Sequence, residues 1–369
     1  MSDIRFEKIG GDWVDPPMLL PAAIPLELSG ESIRSRLITS SDTPGEELAL
    51  RPDLTLAIAN EFIAAGAPGP VSYRYLGKAF RRPLQAGDTA EFTQTGFENF
   101  GHTDEIAKDV DTLSVICEEV SGAGIRDAQL YLGDVSIFYS VVAALDLSDA
   151  WRDRLTRAFH RKEGVRAVLT ADEAPQKHSV LAETLSALPR DQAAALLEEV
   201  MSVSGGEILG GRTQDEILER LQARAAAGRE GPLPERARTA LTALLNISGP
   251  PVSFAARLKD LADEYALDLS EVIDRIRAVF DALDKGNIPF WSQAHVSTEF
   301  GRRFDYYSGM VFEICHTGLS SRRPLATGGR YNGLVSHLSG GKYDVAAVGA
   351  VIRPDRMAKA IAIETGGQS

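Results

Sequence analysis

Four short segments set charged and polar side chains inside otherwise apolar surroundings. In Glu91-Phe92-Thr93-Gln94-Thr95-Gly96-Phe97-Glu98, a strand would put Gln94 and Glu98 on one face, and a carboxylate beside an amide suits recognition of an ammonium group. A solvated strand face fits the same alternation equally well. Ahead of that run stands Phe80-Arg81-Arg82-Pro83. In Leu50-Arg51-Pro52-Asp53-Leu54-Thr55 an acid and a hydroxyl lie two residues apart and could face one side of a turning segment. Spacing alone favours a helix entry there, capped by Asp53 or Thr55. In Arg302-Arg303-Phe304-Asp305-Tyr306-Tyr307 the two tyrosines point to opposite faces if the chain is extended, so one can pack while the other offers its hydroxyl. Two packed aromatics beside a surface arginine is the plainer alternative. The fourth segment, Thr327-Gly328-Gly329-Arg330-Tyr331-Asn332-Gly333-Leu334, permits close backbone approach, although Gly-Gly-Arg by itself commonly marks only a bulge or turn.

The elements that must hold these residues are legible as texture. At 369 residues the chain is too long for one ordinary core, so two units, or one core with a large insertion, are expected. Residues 1–149 mix strands and helices, as in VSYRYLGKAF and AQLYLGDVSIFYSVVAAL. Residues 150–287 turn helical, with RDQAAALLEEVM, TQDEILERLQARAAA and LSEVIDRIRAVFDALDKG all at helical spacing. The last of these places Val272, Ile273, Ile276, Val279, Phe280 and Leu283 on one face, with Ser270 expected to cap its start and Gly286 its end. Thr213 and Glu216 have the spacing of a capping box, and the Gly/Pro-rich stretches around Gly231 and Pro250 read as turns between helices. Strand texture returns over 288–369, in MVFEIC.

Composition narrows the function classes. Apolar residues make up 44% and charged residues 25%, and nothing approaches the roughly 18 consecutive apolar residues of a membrane span. MSDIRFEKIGGDW lacks the apolar core of a secretory signal, so the expected location is cytoplasmic, without membrane contact. A net charge of −13 argues against broad contact with nucleic acid. Cys117 and Cys315 have no CxxC partner and read as buried thiols, with no metal site or disulfide expected.

Taken in order, the four segments resemble histidyl-tRNA synthetase. LRPDLT is similar to that family's Leu-Arg-Pro-Glu-Gly-Thr run, FRRP and EFTQTGFENFG to class II motif 2, RRFDYY and ATGGRYNGL to its histidine-specific signatures, and VAAVGAVIRPDRM to motif 3. The resemblance implies an α+β, class II aminoacyl-tRNA synthetase-like core: a mainly antiparallel sheet flanked by helices, formed by both ends of the chain, with a helical insertion. It implies that Glu98 binds the amino group of histidine, with Gln94, Asp53 and Thr55 lining the pocket. Arg81 would stand near the carboxylate and phosphate, Arg302 would be the activating arginine, Tyr307 and Tyr331 would be the imidazole contacts with Tyr306 also in the histidine site, and Arg356 would be the motif 3 arginine.

The departures from the synthetase carry as much weight. Gly87-Asp88-Thr89-Ala90 stands where the synthetase loop is basic, and the acid that recognises adenine has no counterpart after Arg81-Arg82. An aspartate in that loop should repel a triphosphate. No anticodon-binding domain is expected, since little follows motif 3. This pattern, with the DPPMLLPA opening and LGDVSIF, resembles the paralogous ATP phosphoribosyltransferase regulatory subunits of histidine biosynthesis. That resemblance implies a non-catalytic, allosteric chain with no cofactor, whose ligand is free histidine. Its partner would be the short-form catalytic subunit, bound by a homodimer within a hetero-oligomer. A catalytic fragment that activates histidine with ATP and a free-standing histidine-binding protein are the competing expectations.

Overall fold

A computed structural model describes residues 6–28, 33–40, 47–84, 88–159, 161, 164–170, 180–204, 217–218, 221, 231–300, 306–320 and 323–366. The strands in chain order are β1 (Asp12–Val14), β2 (Leu19–Pro21), β3 (Thr39–Ser40), β4 (Leu48–Leu50), β5 (Val71–Phe80), β6 (Glu91–Phe100), β7 (Ala128–Asp134), β8 (Ser248–Gly249), β9 (His295–Ser297), β10 (Met310–His316), β11 (Ala326–Arg330) and β12 (Ala347–Ile352). The helices are α1 (Ala23–Leu28), α2 (Thr55–Ala64), α3 (Glu105–Gly122), α4 (Val135–Ala144), α5 (Asp149–Phe159), α6 (Gly164–Thr170), α7 (Val180–Ala187), α8 (Arg190–Ser204), α9 (Glu235–Leu245), α10 (Pro251–Glu264), α11 (Ser270–Lys285), α12 (Gly333–Leu338) and α13 (Pro354–Glu364).

Nine strands form one sheet in the order β1-β5-β6-β12-β11-β10-β7-β9-β8, and β2-β4-β3 make a small second sheet. Among the described residues of the large sheet only β1 on β5 and β7 on β9 run parallel, so the mainly antiparallel sheet flanked by helices is as expected. Strands from the two ends of the chain are interleaved, with β12, β11 and β10 seated between β6 and β7.

Helix α2 is buried almost all round, through Leu56, Ala57, Ile58, Ala59 and Phe62, and so belongs inside the core. Phe62 stacks on Phe100 of β6 with ring centroids 4.4 Å apart, which fixes α2 against that strand. Helix α3 starts where the Asp104 side chain accepts from the Ala107 N–H at 2.9 Å, and it buries a stripe at three and four residue steps. One member of that stripe is an acid, Asp109, fully enclosed. It is held by Arg330, whose Nε donates at 2.9 Å and Nη2 at 2.8 Å, while Arg275 of α11 approaches at 3.5 Å and also pairs with Asp134. Arg330, from the Gly-Gly-Arg segment, thus ties α3 to β11, and it reaches Asn332 at 3.0 Å and the Glu105 carbonyl at 2.9 Å as well.

Two expectations for α11 change. Ser270 is its first helical residue, and the capping acceptor is Asp268, which takes the Ser270 N–H at 3.2 Å and its hydroxyl at 2.7 Å. At the other end Gly286 keeps a right-handed φ of −74°, and Asn287 adopts the left-handed conformation at φ 48°. The chain divides into two compact units, residues 1–141 with 243–369 and residues 142–242. The insertion expected over 150–287 therefore shares its later helices with the sheet unit. Helical periodicity does not say what a helix packs on, and here Arg275 fastens α11 to α3 and β7. TQDEILERLQARAAA and the capping box lie outside the described residues, apart from Ile217, Leu218 and Leu221. Both cysteines are buried and neither is in a disulfide, and among the described residues no helix is long and apolar enough to cross a membrane.

The Asp109–Arg330 pair gives a first prediction. Asp109→Ala takes the buried carboxylate away from Arg330, while Arg275 keeps Asp134, and should cost about 3–5 kcal/mol of stability. Urea denaturation followed by tryptophan fluorescence measures it; an unchanged midpoint would mean that Arg330 finds another acceptor.

Candidate functional site

The centre of the site is a carboxylate taken out of water. Glu98 lies on β6 at 1% exposure, opposite Tyr73 of β5 and Gly349 of β12. Its Oε1 accepts from the Thr55 hydroxyl at 2.6 Å and the Tyr75 hydroxyl at 3.2 Å, and its Oε2 accepts from the Tyr331 hydroxyl. The three donors come from different elements: Thr55 opens α2, Tyr75 is on β5, and Tyr331 follows β11. Burial pushes the Glu98 carboxyl up to about 7, against the pull of those hydroxyls, and Asp53 nearby adds to the rise. The three phenols around it, Tyr75, Tyr307 and Tyr331, are all pushed well above their ordinary range, by burial first and then by the Glu98 charge, so they remain donors at any physiological pH.

Space for the carboxylate is made by absent side chains. A Cβ at Gly349 would overlap Glu98 Oε2, and one at Gly96 would lie 2.5 Å from the Tyr75 hydroxyl. Gly96 is the residue paired with Tyr75 across the ladder, so the ring reaches over it towards Glu98.

Asp53 both caps and lines. Its Oδ1 accepts from the Leu56 N–H at 3.1 Å, which starts α2 as the spacing suggested, while the buried Oδ2 has no hydrogen-bond partner among the described residues. Burial raises its pKa, and the charge of Arg81 opposes the rise. The buried Oε1 of Gln94, on the same face of β6 as Glu98, is likewise without a donor. Buried acceptors are normally satisfied, so an open one on Asp53 near the buried Glu98, with another on the same strand face at Gln94, suits a donor-rich, cationic group. Among the described residues no group of three or more His, Cys, Asp or Glu could hold a metal.

Arg81 follows β5, and its Nε donates to the Pro52 carbonyl at 2.7 Å, which steadies the turn carrying Asp53. Burial lowers its pKa to about 10, with Asp53 opposing and Arg36 and Arg353 adding to the fall. Arg356, in the first turn of α13, donates to the Pro324 carbonyl at 2.8 Å. Tyr306 and Tyr307 depart from the expected extended pair, because the strand begins only at Met310. Both rings pack on the core cluster, 5.0 Å apart at 59°, and Tyr306 meets Tyr331 edge-on at 5.9 Å. Arg302 lies outside the described residues.

The structure therefore brings Asp53, Thr55, Glu98, Tyr306, Tyr307 and Tyr331 together, with Gln94 on the same strand face and Arg81 beside Asp53. Sequence reasoning missed Tyr75 and Gly349. The alternation of Tyr73 and Tyr75 in VSYRYL was a signal, but only the strand register says which tyrosine reaches Glu98. Asp88 also differs from expectation. It forms an ion pair with Arg323 at 2.8 Å, so its charge is matched within the fold.

A sequence profile of the histidyl-tRNA synthetase family matches residues 4–207 and 207–357. The ATP phosphoribosyltransferase regulatory subunit of Brucella anthropi is 33% identical over 94% of this chain and 92% of its own length. That of Chelativorans sp. is 32% identical over 93% of this chain and 92% of its own length. Among solved structures, an ATP phosphoribosyltransferase regulatory subunit/histidyl-tRNA synthetase from Bacillus halodurans has a TM-score of 0.66 at 17% identity, covering 96% of this chain and 76% of that one. Apo histidyl-tRNA synthetase of S. aureus has a TM-score of 0.52 at 17% identity, covering 97% and 67%. The structural likenesses show the class II fold.

The raised Glu98 pKa fixes the sign of a pH effect. The folded state keeps a proton that the unfolded state releases between 4.5 and about 7. Stability from this group is full below 4.5 and is lost as pH rises through 7, by on the order of 3 kcal/mol. Glu98→Gln should flatten that part of the stability profile of the ligand-free chain, measured by denaturation between pH 4 and 8; a parallel profile would assign the titration to another group.

Proposed function

The chain belongs to the histidyl-tRNA synthetase-like proteins and, among them, to the ATP phosphoribosyltransferase regulatory subunits, and we propose that it is a non-catalytic histidine sensor. In this reading it activates a short-form phosphoribosyltransferase catalytic subunit and confers inhibition by free histidine. The observation that carries it is the buried Glu98 with open acceptors on Asp53 and Gln94. A histidine ammonium supplies three donors and a charge, so binding converts a costly buried carboxylate into a charge-assisted pair. The hydroxyls of Tyr306, Tyr307 and Tyr331 suit the imidazole, and Arg81 suits the carboxylate. Regulation further requires that histidine favour one state of the assembly over another, since equal affinity for both would shift nothing. The assembly proposed is a homodimer within a hetero-oligomer, without nucleic acid or membrane.

A second reading, a synthetase-like chain that forms histidyl-adenylate, is favoured by one observation: Arg81 and Arg356 both line a basic cavity, as a nucleotide-handling site requires. Against it stands the Asp88–Arg323 pair, which occupies one of that cavity's cations.

Two measurements decide. Mixing the chain with a short-form catalytic subunit should switch on phosphoribosyl transfer, histidine should suppress it, and the chain alone should give no histidine-dependent ATP–pyrophosphate exchange. Exchange activity would sink the proposal in favour of the synthetase reading. Glu98→Ala should weaken histidine binding by calorimetry at least about a hundredfold, from a charge-assisted hydrogen bond worth about 1.5–3 kcal/mol and the loss of the paired charge. Unchanged affinity would move the effector to another surface.

A further inference from the structure

Strand β11 ends at Arg330, yet the next residue still pairs with β12: the Tyr331 N–H donates to the Ala347 carbonyl at 2.8 Å. In an antiparallel rung of this kind the Ala347 N–H would donate back to the Tyr331 carbonyl. That carbonyl accepts instead from the Leu334 N–H at 3.1 Å, where α12 opens, and the Ala347 N–H goes to Asn332 Oδ1 at 3.0 Å. One side-chain amide thus stands in for a backbone acceptor, and the chain leaves the sheet at Tyr331 without orphaning the N–H of the buried Ala347.

Asn332 precedes α12 at the position where an asparagine usually caps a helix, but its side chain makes no capping bond. The amide is spent elsewhere. Its Oδ1 also accepts from Arg330 Nη1 at 3.0 Å, and its Nδ2 donates to Glu105 Oε1 at 3.0 Å, in the first turn of α3. Only this orientation of the amide offers an oxygen to two N–H donors and an NH2 group to a carboxylate. The Asn332 N–H donates to the Ser308 hydroxyl at 2.9 Å, and the Ser308 N–H donates to the Arg330 carbonyl at 2.9 Å. Ser308 directly follows Tyr306 and Tyr307, so the two tyrosine-bearing segments are laced together beside Tyr331.

The consequence falls on the Tyr331 ring. Both of its chain neighbours are fastened to α3, Arg330 through Asp109 and the Glu105 carbonyl, and Asn332 through the Glu105 carboxylate. Held by both flanks, the ring turns inward, its hydroxyl donates to Glu98 Oε2, and Tyr306 meets it edge-on at 5.9 Å.

We propose that Asn332 is a positioning residue of the Glu98 site: its amide holds the Tyr331 hydroxyl on Glu98 and keeps the Tyr306–Tyr307 segment beside it, so histidine recognition depends on a side chain that does not touch the ligand. For its ligand the inference rests on the histidine-sensor reading. The hold on Glu98 stands without any ligand, and the two are tested separately.

Calorimetric titration of the full chain with histidine is the first arm. Asn332→Ala should weaken binding at least about tenfold, the step that corresponds to 1.4 kcal/mol. Asn332→Asp combined with Glu105→Gln keeps an acceptor for Arg330 and Ala347 and a donor–acceptor pair towards α3. That double variant should return the affinity to within about threefold of wild type.

The second arm is the stability of the ligand-free chain against pH. Burial raises the Glu98 pKa, the hydroxyls of Thr55, Tyr331 and Tyr75 oppose the rise, and the Asp53 charge adds to it; Tyr306 and Tyr307 also face Glu98, and β12 presents only Gly349. Losing a donor to the charged form raises the folded-state pKa further, so the stability contributed by the protonated carboxyl persists to higher pH. In Asn332→Ala the loss of stability with rising pH should move up by about one unit, and the move should vanish in a Glu98→Gln background. A residue that only supports the fold would lower stability equally at every pH.

Unchanged histidine affinity in folded Asn332→Ala overturns the proposal, as does a pH profile parallel to wild type, or a double variant no tighter than Asn332→Ala. Should wild type bind no histidine, the regulatory reading falls and the pH arm alone decides for Asn332. Circular dichroism shows whether each variant is folded. If Asn332→Ala is not, Asn332→Asp alone replaces it, and the proposal falls unless Glu105→Gln restores the affinity that Asn332→Asp loses.

Discussion

A single buried carboxylate organises the interior of the sheet unit. Glu98 cannot be left in a dry sheet without donors, and the three hydroxyls that satisfy it arrive from α2, β5 and the turn after β11. Each donor can reach only because its element is correctly placed. The capping of α2 by Asp53, the stacking of Phe62 on Phe100 and the side-chain-free surface at Gly349 are therefore conditions on one electrostatic problem. The solution remains incomplete in the ligand-free chain, since the carboxyl still prefers its proton near neutral pH.

The same motifs carry both framework residues and residues of the candidate site, and the structure separates the two. Arg330 sits within the segment that resembles a histidine-specific signature, yet its nitrogens are spent on Asp109, Asn332 and the Glu105 carbonyl. Its neighbour Tyr331 turns inward to Glu98. Arg51 behaves similarly beside Asp53: it is fully buried and bonds the carbonyls of Lys78 and Pro17, at 2.7 Å and 3.3 Å. Residues of one charged type, a few positions apart, thus divide between framework and pocket according to which backbone carbonyls lie within reach.

Much of this was legible in the residues. Period-two alternation over 91–100 put Gln94 and Glu98 on a common strand face, and the spacing at Asp53 marked a helix entry that the structure contains. What escaped was whatever depends on relations between distant segments. Tyr75 became a site residue only through the β5–β6 register, and α11 joined the sheet unit through Arg275, which no helical period could indicate. Tyr306 and Tyr307 would lie on opposite faces of an extended chain, whereas both rings pack on one core cluster, Tyr306 against Tyr331 and Tyr307 against Tyr306. Asp88 was read as an uncompensated charge because Arg323, so far along the chain, gave no local sign of pairing with it.

The interleaving of β10, β11 and β12 between β6 and β7 has a consequence for how the molecule comes into being. During synthesis the first half of the sheet emerges with β6 and β7 unable to neighbour one another, and the gap is closed only by strands made more than 160 residues later. Contacts of such long sequence separation are slow to form and leave exposed strand edges in the meantime. The nascent chain must therefore wait, with its central acid still hydrated, until the last strand slots in and the chamber around Glu98 is sealed.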